Sequence, residues 1–339
     1  MISACPTAAA GWLLADWLEL EALSSAGDSA SVHAVNANAP MEEDAESEEF
    51  DEDGVAQEDR IARLTTEIRV RKEVLGATYP FRLSESGTQL EWVPAPNVGS
   101  VVYLFCLLAS HLRSGGFLSQ EASLDIALKK VPELFQACAT WCAAGYEVGP
   151  SYSVGWPRLD KSGFLQKLGE VYGHLGDGVP HAEIPNGAPE AVKDDGIDVI
   201  AWRTMPDARA PATYLLAQVA SGNNWREKSV ITAIRVFHAT WFRQTPQREG
   251  RPALMIPFCI DTDADDDDDP GQEELAMRWK RLLAGFGEVF YRYRVPVFAE
   301  RGFTLHSGGT RPIELIEWRP RVEDFVLGTI IGIRALEAA

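Results

Sequence analysis

One apolar segment, TYLLAQVA at residues 213–220, restricts the fold more than any other part of the chain. Only Thr213 and Gln218 in it are polar, so both faces of this segment in extended conformation are apolar and require cover. This pattern predicts a central strand of a sheet that helices cover. The shorter apolar segments at 197–202 and 253–260 predict neighbouring strands.

Helical spacing of apolar residues predicts helices next to these strands. One is expected over 156–176, and another begins at the SGNNW segment, 221–225, and continues to about Arg243. The order helix, strand, strand, helix, strand predicts an α/β domain with a central mixed sheet flanked by helices.

The first part of the chain has a different pattern. Helices are expected over 9–25, 58–76, 98–113 and 119–144, with a short hairpin between the second and the third of them. We therefore predict a mainly helical N-terminal region over 1–150 with an acidic linker at 26–59. An α/β domain is predicted to follow over 151–339.

The negative charge of the chain is concentrated in two segments. The formal net charge is −19, but residues 41–59 hold 11 acidic residues and residues 261–274 hold 9, and neither segment has a basic residue. The remaining residues number 30 acidic and 31 basic, so nucleic acid is not excluded as a partner. The acidic segments are interpreted either as solvated connections or as segments that compete with DNA for a basic groove.

Several classes of protein are disfavoured. The five cysteines include no CxxC pair, which indicates buried thiols in a reducing compartment. The six histidines form no HxH or HExxH pair, and no nucleotide-binding glycine motif follows a strand. The longest apolar run, 101–109, has about half of the length that spans a bilayer. We expect a soluble, cytoplasmic protein that is not inserted into a membrane.

Four side chains between residues 195 and 228 are predicted to surround one point. Asp198 stands at the start of the first strand, and Gln218 lies in the second strand, so the two converge if the strands form a hairpin. Asp195 and Lys228 flank them along the chain. Oxygen ligands suit a hard cation, and a lysine beside the cation can orient or deprotonate a water molecule. These residue types together favour metal-assisted phosphodiester hydrolysis.

This arrangement resembles the PD-(D/E)XK restriction-endonuclease-like superfamily, most closely its Mrr-type and Holliday-junction-resolvase-type branches. DGID at 195–198 leads into VIA, and Gln218-Val219-Ala220 follows on the next strand. The resemblance extends over about 156–260. The segments ADWLELEAL, YPF and AQVASGNNW also resemble uncharacterised bacterial nuclease-like proteins encoded near defence genes.

The resemblance implies roles for individual residues. Asp198 takes the role of the metal-binding aspartate, and Gln218 that of the acidic or glutamine residue on the second strand. The lysine of the motif is replaced by Ala220, and Lys228 is expected to substitute for it from the neighbouring helix. Glu170 is the only candidate for the glutamate of the preceding helix, although helical geometry places it opposite the apolar face. Asp195 is expected to be either a second metal ligand or a turn residue.

The function implied is that of an Mg²⁺- or Mn²⁺-dependent DNA endonuclease in antiviral defence. The alternative is a catalytically degenerate nuclease fold that binds nucleic acid or a partner protein in a defence complex. A later stretch, 278–303, places six basic residues among aromatic ones. It is interpreted either as an amphipathic helix with a charged outer face or as a surface that follows phosphates.

Overall fold

The computed structural model describes residues 2–6, 10–36, 49–94, 97–113, 115–118, 121, 124–155, 163–188, 195–207, 209, 211–260, 272–307 and 312–338. Within them the helices are α1 (Gly11–Ser24), α2 (Glu49–Leu75), α3 (Val98–His111), α4 (Asp125–Glu147), α5 (Phe164–Leu175), α6 (Val230–Trp241), α7 (Gln272–Phe286), α8 (Val295–Ser307) and α9 (Arg319–Glu337). The strands are β1 (Ser29–Ser31), β2 (Phe81–Leu83), β3 (Gln89–Trp92), β4 (Ser151–Ser153), β5 (Val179–Pro180), β6 (Val199–Ala201), β7 (Thr213–Val219), β8 (Phe242–Gln244), β9 (Glu249–Met255) and β10 (Glu288–Phe290). The protein is mixed α/β.

The chain forms two compact units. The first unit combines Met1–Lys129 with Val322–Ala339, and the second unit is Lys130–Arg321. The predicted boundary at 150/151 differs from both changes of unit. The second change is due to α9, whose apolar residues pack within the first unit, as when Phe325 meets Phe105 at a ring-centroid distance of 4.9 Å. A contact over that separation leaves no local signal in the sequence.

The first unit contains a small antiparallel sheet in the order β1-β3-β2 and the helices α1, α2, α3 and α9. The expected hairpin is confirmed by the pairing of β2 with β3. The expected linker at 26–59 is wrong in part, because residues 29–31 form β1 and residues 49–59 belong to α2. Residues 37–48 lie outside the described residues.

A buried ion network connects α1 with α2. The guanidinium of Arg71 lies 2.8 Å from a carboxylate oxygen of Asp16 and 2.8 Å from one of Glu19, and all three side chains are fully buried. The hydroxyls of Tyr79 and Tyr103 donate hydrogen bonds to Glu19. Since buried charges persist only when they are paired and hydrogen-bonded, this network is a structural element of the first unit.

The second unit is built on a five-stranded sheet in the order β10-β9-β7-β6-β4. Both pairs that involve β6 are antiparallel, whereas β9 is parallel to both β7 and β10. The predicted central position of β7 is confirmed, and its residues Tyr214 to Ala217 are fully buried. Helices α5 and α6 cover one face, where Leu168 and Phe237 pack with Ile200 and Leu216.

The structure changes the bounds of several predicted elements. The third strand covers 249–255 rather than 253–260, and a short 3-10 helix at 223–227 precedes α6. The predicted helix at 156–176 is observed as α5, which begins at residue 164 after Gly163 in extended conformation; residues 156–162 lie outside the described residues. The stretch 278–303 is not one amphipathic helix, because β10 separates α7 from α8. Within the described residues no helix has the length and apolarity to cross a membrane.

Candidate active site

The start of β6 and the end of β7 lie at one edge of the sheet. The two strands are antiparallel and pair Val199 with Ala217. Asp198 is the next residue along one strand and Gln218 the next along the other. The backbone therefore brings these two predicted site residues to neighbouring positions. The ends of β9 and β10 lie at the same edge, because both run parallel to β7.

Hydrogen bonds on both sides fix Asp198. Its amide donates to the carbonyl oxygen of Ala217 at 2.9 Å, and its carbonyl oxygen accepts from the amides of Val154 and Gly155 at 2.8 and 3.0 Å. Oδ2 accepts a hydrogen bond from the amide of Val219 at 2.7 Å. The half-buried Asp198 carboxylate is thus positioned by the main chain of the residue that follows Gln218.

Polar side chains converge at Gly155, just after β4. A Cβ atom at this glycine would lie 2.5 Å from Oδ1 of Asp198 and 2.5 Å from Nε2 of Gln136. Gln136 comes from α4, and its Nε2 donates to Oγ of Ser153 at 2.6 Å. Glycine is required here because any side chain would occupy the space between these two polar groups.

Gln218 carries an unsatisfied acceptor. The residue is 9 % exposed, and its Oε1 is buried without a hydrogen-bond partner among the described residues. Its Nε2 lies 3.3 Å from the position that a Cβ of Gly196 would take. A buried acceptor without a partner costs about 1–3 kcal/mol, so its presence requires an explanation. A ligand at the Asp198 edge of the sheet would satisfy this acceptor.

Asp195 is a turn residue that anchors α6. Its φ is +48°, and Gly196 follows with φ of +81°, so the chain turns tightly before β6. Oδ2 of Asp195 accepts a hydrogen bond from Nε1 of Trp241, the last residue of α6, at 2.7 Å. The turn interpretation explains this conformation without a metal, and the role of Asp195 as a second ligand stays a prediction.

The structure does not connect Lys228 or Glu170 with Asp198. The half-buried Lys228 lies between the 3-10 helix and α6, and its ammonium forms no hydrogen bond or ion pair with any described residue. The Glu170 side chain is 44 % exposed on α5 and lies 3.3 Å from Nζ of Lys167. The predicted position of Glu170 away from the apolar face of α5 is confirmed. Direct participation of either residue in the site stays a prediction.

Sequence reasoning missed Lys167, which is 3 % exposed on the buried face of α5. Its Nζ donates to Oε1 of Glu314, and Oε2 of Glu314 accepts from the amide of Ser153 at 2.8 Å. Burial raises the pKa of Glu314, although the Lys167 ammonium opposes that shift. A signal was present in the sequence, since Lys167 stands between Phe164 and Leu168 on the apolar face.

The position that the resemblance assigns to the motif lysine is apolar in this protein. Ala220 is 4 % exposed and packs with Trp225, Val230, Leu254 and Ile256. A lysine at this position would insert a charge into the cluster. The packing around position 220 therefore accommodates alanine.

Few side chains that could bind a metal ion lie at this edge among the described residues. Among the residues that the structure describes, no group of three or more His, Cys, Asp or Glu side chains is arranged to hold a metal ion. The donor chemistry nevertheless fits Mg²⁺ or Mn²⁺, because the amide oxygen of Gln218, which has no partner among the described residues, and the carboxylate of Asp198 are hard oxygen donors.

In comparisons with known proteins, the chain matches no protein-family model, no curated protein and no solved structure.

Proposed function

We propose that the second unit is a restriction-endonuclease-like domain that cleaves DNA with Mg²⁺ or Mn²⁺ as cofactor. The observation that carries this proposal is the Oε1 of Gln218, which is buried without a partner among the described residues at the same sheet edge as the Asp198 carboxylate. Mg²⁺ usually keeps several waters and needs only one or two protein carboxylates besides substrate phosphate. A small set of protein ligands is therefore sufficient.

The mechanism assigns roles to the residues of the chain. A bound divalent cation would acidify a water molecule and neutralise charge on the scissile phosphate. Asp198 would bind the cation, and the hydrogen bond from the Val219 amide holds its carboxylate in position before substrate arrives. Gln218 would contribute its amide oxygen. Lys228, between the 3-10 helix and α6, would contribute positive charge. The defence context and the cytoplasmic location depend on the resemblance and the composition alone.

A second candidate function is a nuclease fold that binds nucleic acid or a partner protein without cutting. The observation that favours it is the apolar environment of Ala220, which leaves no lysine two residues after Gln218. Metal binding separates the two functions, because an intact hydrolytic site binds Mn²⁺ or Mg²⁺ and a degenerate one does not.

The test is plasmid nicking in Mg²⁺ or Mn²⁺ by the full chain and by Asp198→Asn and Gln218→Leu. Asp207→Asn is the matched control, since Asp207 is exposed and pairs with the exposed Arg209. We expect cleavage by the wild type and by the control, and a loss of at least about tenfold in both site variants. Cleavage that survives both site substitutions contradicts the assignment of this site. Absence of cleavage and of metal binding in the wild type favours the non-catalytic alternative.

A further inference from the structure

Aromatic side chains and one arginine cluster at the sheet edge that carries Asp198 and Gln218. They are Phe258 after β9, Trp279 on α7, and Tyr291, Tyr293 and Arg294 after β10, which we call the aromatic–arginine surface. Because β7, β9 and β10 are parallel, the segments that follow them emerge at one edge. All five residues are half-buried.

The aromatic–arginine surface adjoins the end of β7. Phe258, Trp279 and Tyr291 pack against the apolar cluster that includes Ala220, which is two residues beyond Gln218. The amide of Ala220 donates to the carbonyl oxygen of Met255, three residues before Phe258. The surface and the candidate active site are therefore continuous along the edge of the sheet.

Arg294 is held against the rings. The centre of its guanidinium lies 4.8 Å from the Trp279 ring centroid and 5.6 Å from that of Tyr291. Nη1 donates to the carbonyl oxygen of Val289 at 2.9 Å, which fixes the plane of the group. Tyr293 adds a further ring at 5.4 Å from that of Tyr291. Planar rings and an oriented guanidinium are the groups on which unpaired bases stack.

The sequence around the surface carries both signs of charge. The described stretch 272–307 has six basic and four acidic residues, whereas residues 261–271, between Phe258 and Trp279 in sequence, hold seven aspartates. Lys280 and Arg281 are exposed on α7, next to Trp279 in sequence. A duplex conceals the faces of its bases inside the stack, whereas a single strand presents them to aromatic side chains.

We infer that the aromatic–arginine surface binds the bases of a single-stranded nucleic acid and directs its backbone to the edge that carries Asp198 and Gln218. This inference rests on the proposed function for the cleavage step only, since stacking of bases does not require a metal. It identifies single strands, or the unpaired parts of larger nucleic acids, as the preferred class of substrate.

The test measures binding by fluorescence anisotropy in EDTA, so that neither metal binding nor cleavage contributes. The probes are labelled oligothymidine and oligouridine of about 20 nucleotides and a duplex of equal length. We expect the single strands to bind more tightly than the duplex. The ratio of the two single strands then distinguishes DNA from RNA as the preferred form.

Four variants examine the surface itself. Tyr293→Ala and Arg294→Ala are expected to weaken binding of the single strands at least about fivefold, which is the lower range for loss of one stacked base. Tyr293→Phe keeps the ring and should bind like the wild type. Arg294→Lys keeps the charge but loses the planar group and should recover only part of the affinity. Arg243→Ala removes an exposed arginine on β8 and is the charge-matched control.

The outcomes separate this inference from the proposed function. Equal or tighter binding of the duplex, or unchanged affinity in both alanine variants, overturns the inference even if cleavage depends on Asp198. Preferential binding of single strands that the alanine variants lose supports it even if no cleavage is found. Melting temperatures close to that of the wild type confirm that the variants fold.

Discussion

The amide of Val219 donates a 2.7 Å hydrogen bond to Oδ2 of Asp198. This bond joins the two strands at their shared end through a side chain rather than through the main-chain ladder. The carboxylate therefore has two roles that mutation can separate: one of its oxygens satisfies a main-chain donor, and in the proposed function its charge would bind a cation.

Asp198→Asn and Asp198→Ala are expected to differ in stability but not in metal response. Asparagine keeps an acceptor for the Val219 amide, whereas alanine leaves that donor unpaired, at a cost of about 1–3 kcal/mol. Both remove the charge, so both should lose the rise in melting temperature that we expect Mn²⁺ to produce in the wild type. Thermal unfolding with and without Mn²⁺ measures both effects. Retention of the Mn²⁺ response in Asp198→Asn would show that the cation binds elsewhere.

Substitution of Gln218 is expected to have the opposite effect on stability. Gln218→Leu removes a buried acceptor that has no partner among the described residues, so metal-free stability should rise by about 1 kcal/mol while the Mn²⁺ response falls. Gln218→Glu adds a carboxylate and should increase the affinity for Mn²⁺. Urea unfolding and metal titration measure these changes. If neither substitution alters the Mn²⁺ response, Gln218 is only a core amide.

Gly155 and Gly169 form a matched pair for alanine substitution. At Gly155 the new Cβ would lie 2.5 Å from Asp198 Oδ1, so Gly155→Ala should destabilise the second unit by about 1–3 kcal/mol. At Gly169, on α5, the new Cβ has no neighbour within 4 Å. Gly169→Ala should stabilise the unit by up to about 1 kcal/mol through helix propensity. Urea unfolding of the two variants checks the signs, and equal effects would contradict the close approach at Gly155.

Lys167→Met should destabilise the protein by about 2–3 kcal/mol at neutral pH, because it leaves the Glu314 carboxylate without its cation. Burial already raises the pKa of Glu314, and loss of the ammonium raises it further. A carboxyl whose pKa is raised on folding stabilises the folded state at low pH, and that contribution is lost as the pH increases through the raised pKa. The deficit of the variant should therefore be small below about pH 4 and should grow towards pH 7.

Unfolding measured across this pH range tests the Lys167 prediction. Lys280→Met, at an exposed position of α7, is the control. The double variant Lys167→Met/Glu314→Gln should lose the added pH dependence. A deficit that is independent of pH would assign the effect to packing alone.

Arg71 should be essential to the first unit. Arg71→Met leaves the carboxylates of Asp16 and Glu19 buried without their cation, and the expected loss is about 3–5 kcal/mol. Arg63→Met breaks an exposed pair with Asp59 and should cost under about 1 kcal/mol. The difference in unfolding free energy between the two variants is the measurement. Similar small losses would indicate that tyrosine hydroxyls and neutral acids satisfy the network.

Strong local patterns predicted the centre of the second unit. An apolar segment on both faces predicted β7, and the position of Asp198 and Gln218 relative to two strands predicted that they meet. The strands β4 and β10 were missed because three residues carry too little periodicity. The contact between Lys167 and Glu314 joins residues 147 positions apart. Such a contact depends on how distant segments of the chain fold together, not on the spacing of residues within one segment.

The two segments of the first unit have a consequence for biosynthesis. Residues 1–129 leave the ribosome early, but α9 emerges only after the whole of the second unit. Until then Phe105 lacks its partner Phe325. The second unit is continuous and can fold while the first is still incomplete. Vectorial synthesis therefore exposes apolar surface of the first unit longest, and we expect association with nascent-chain chaperones to be strongest on that segment.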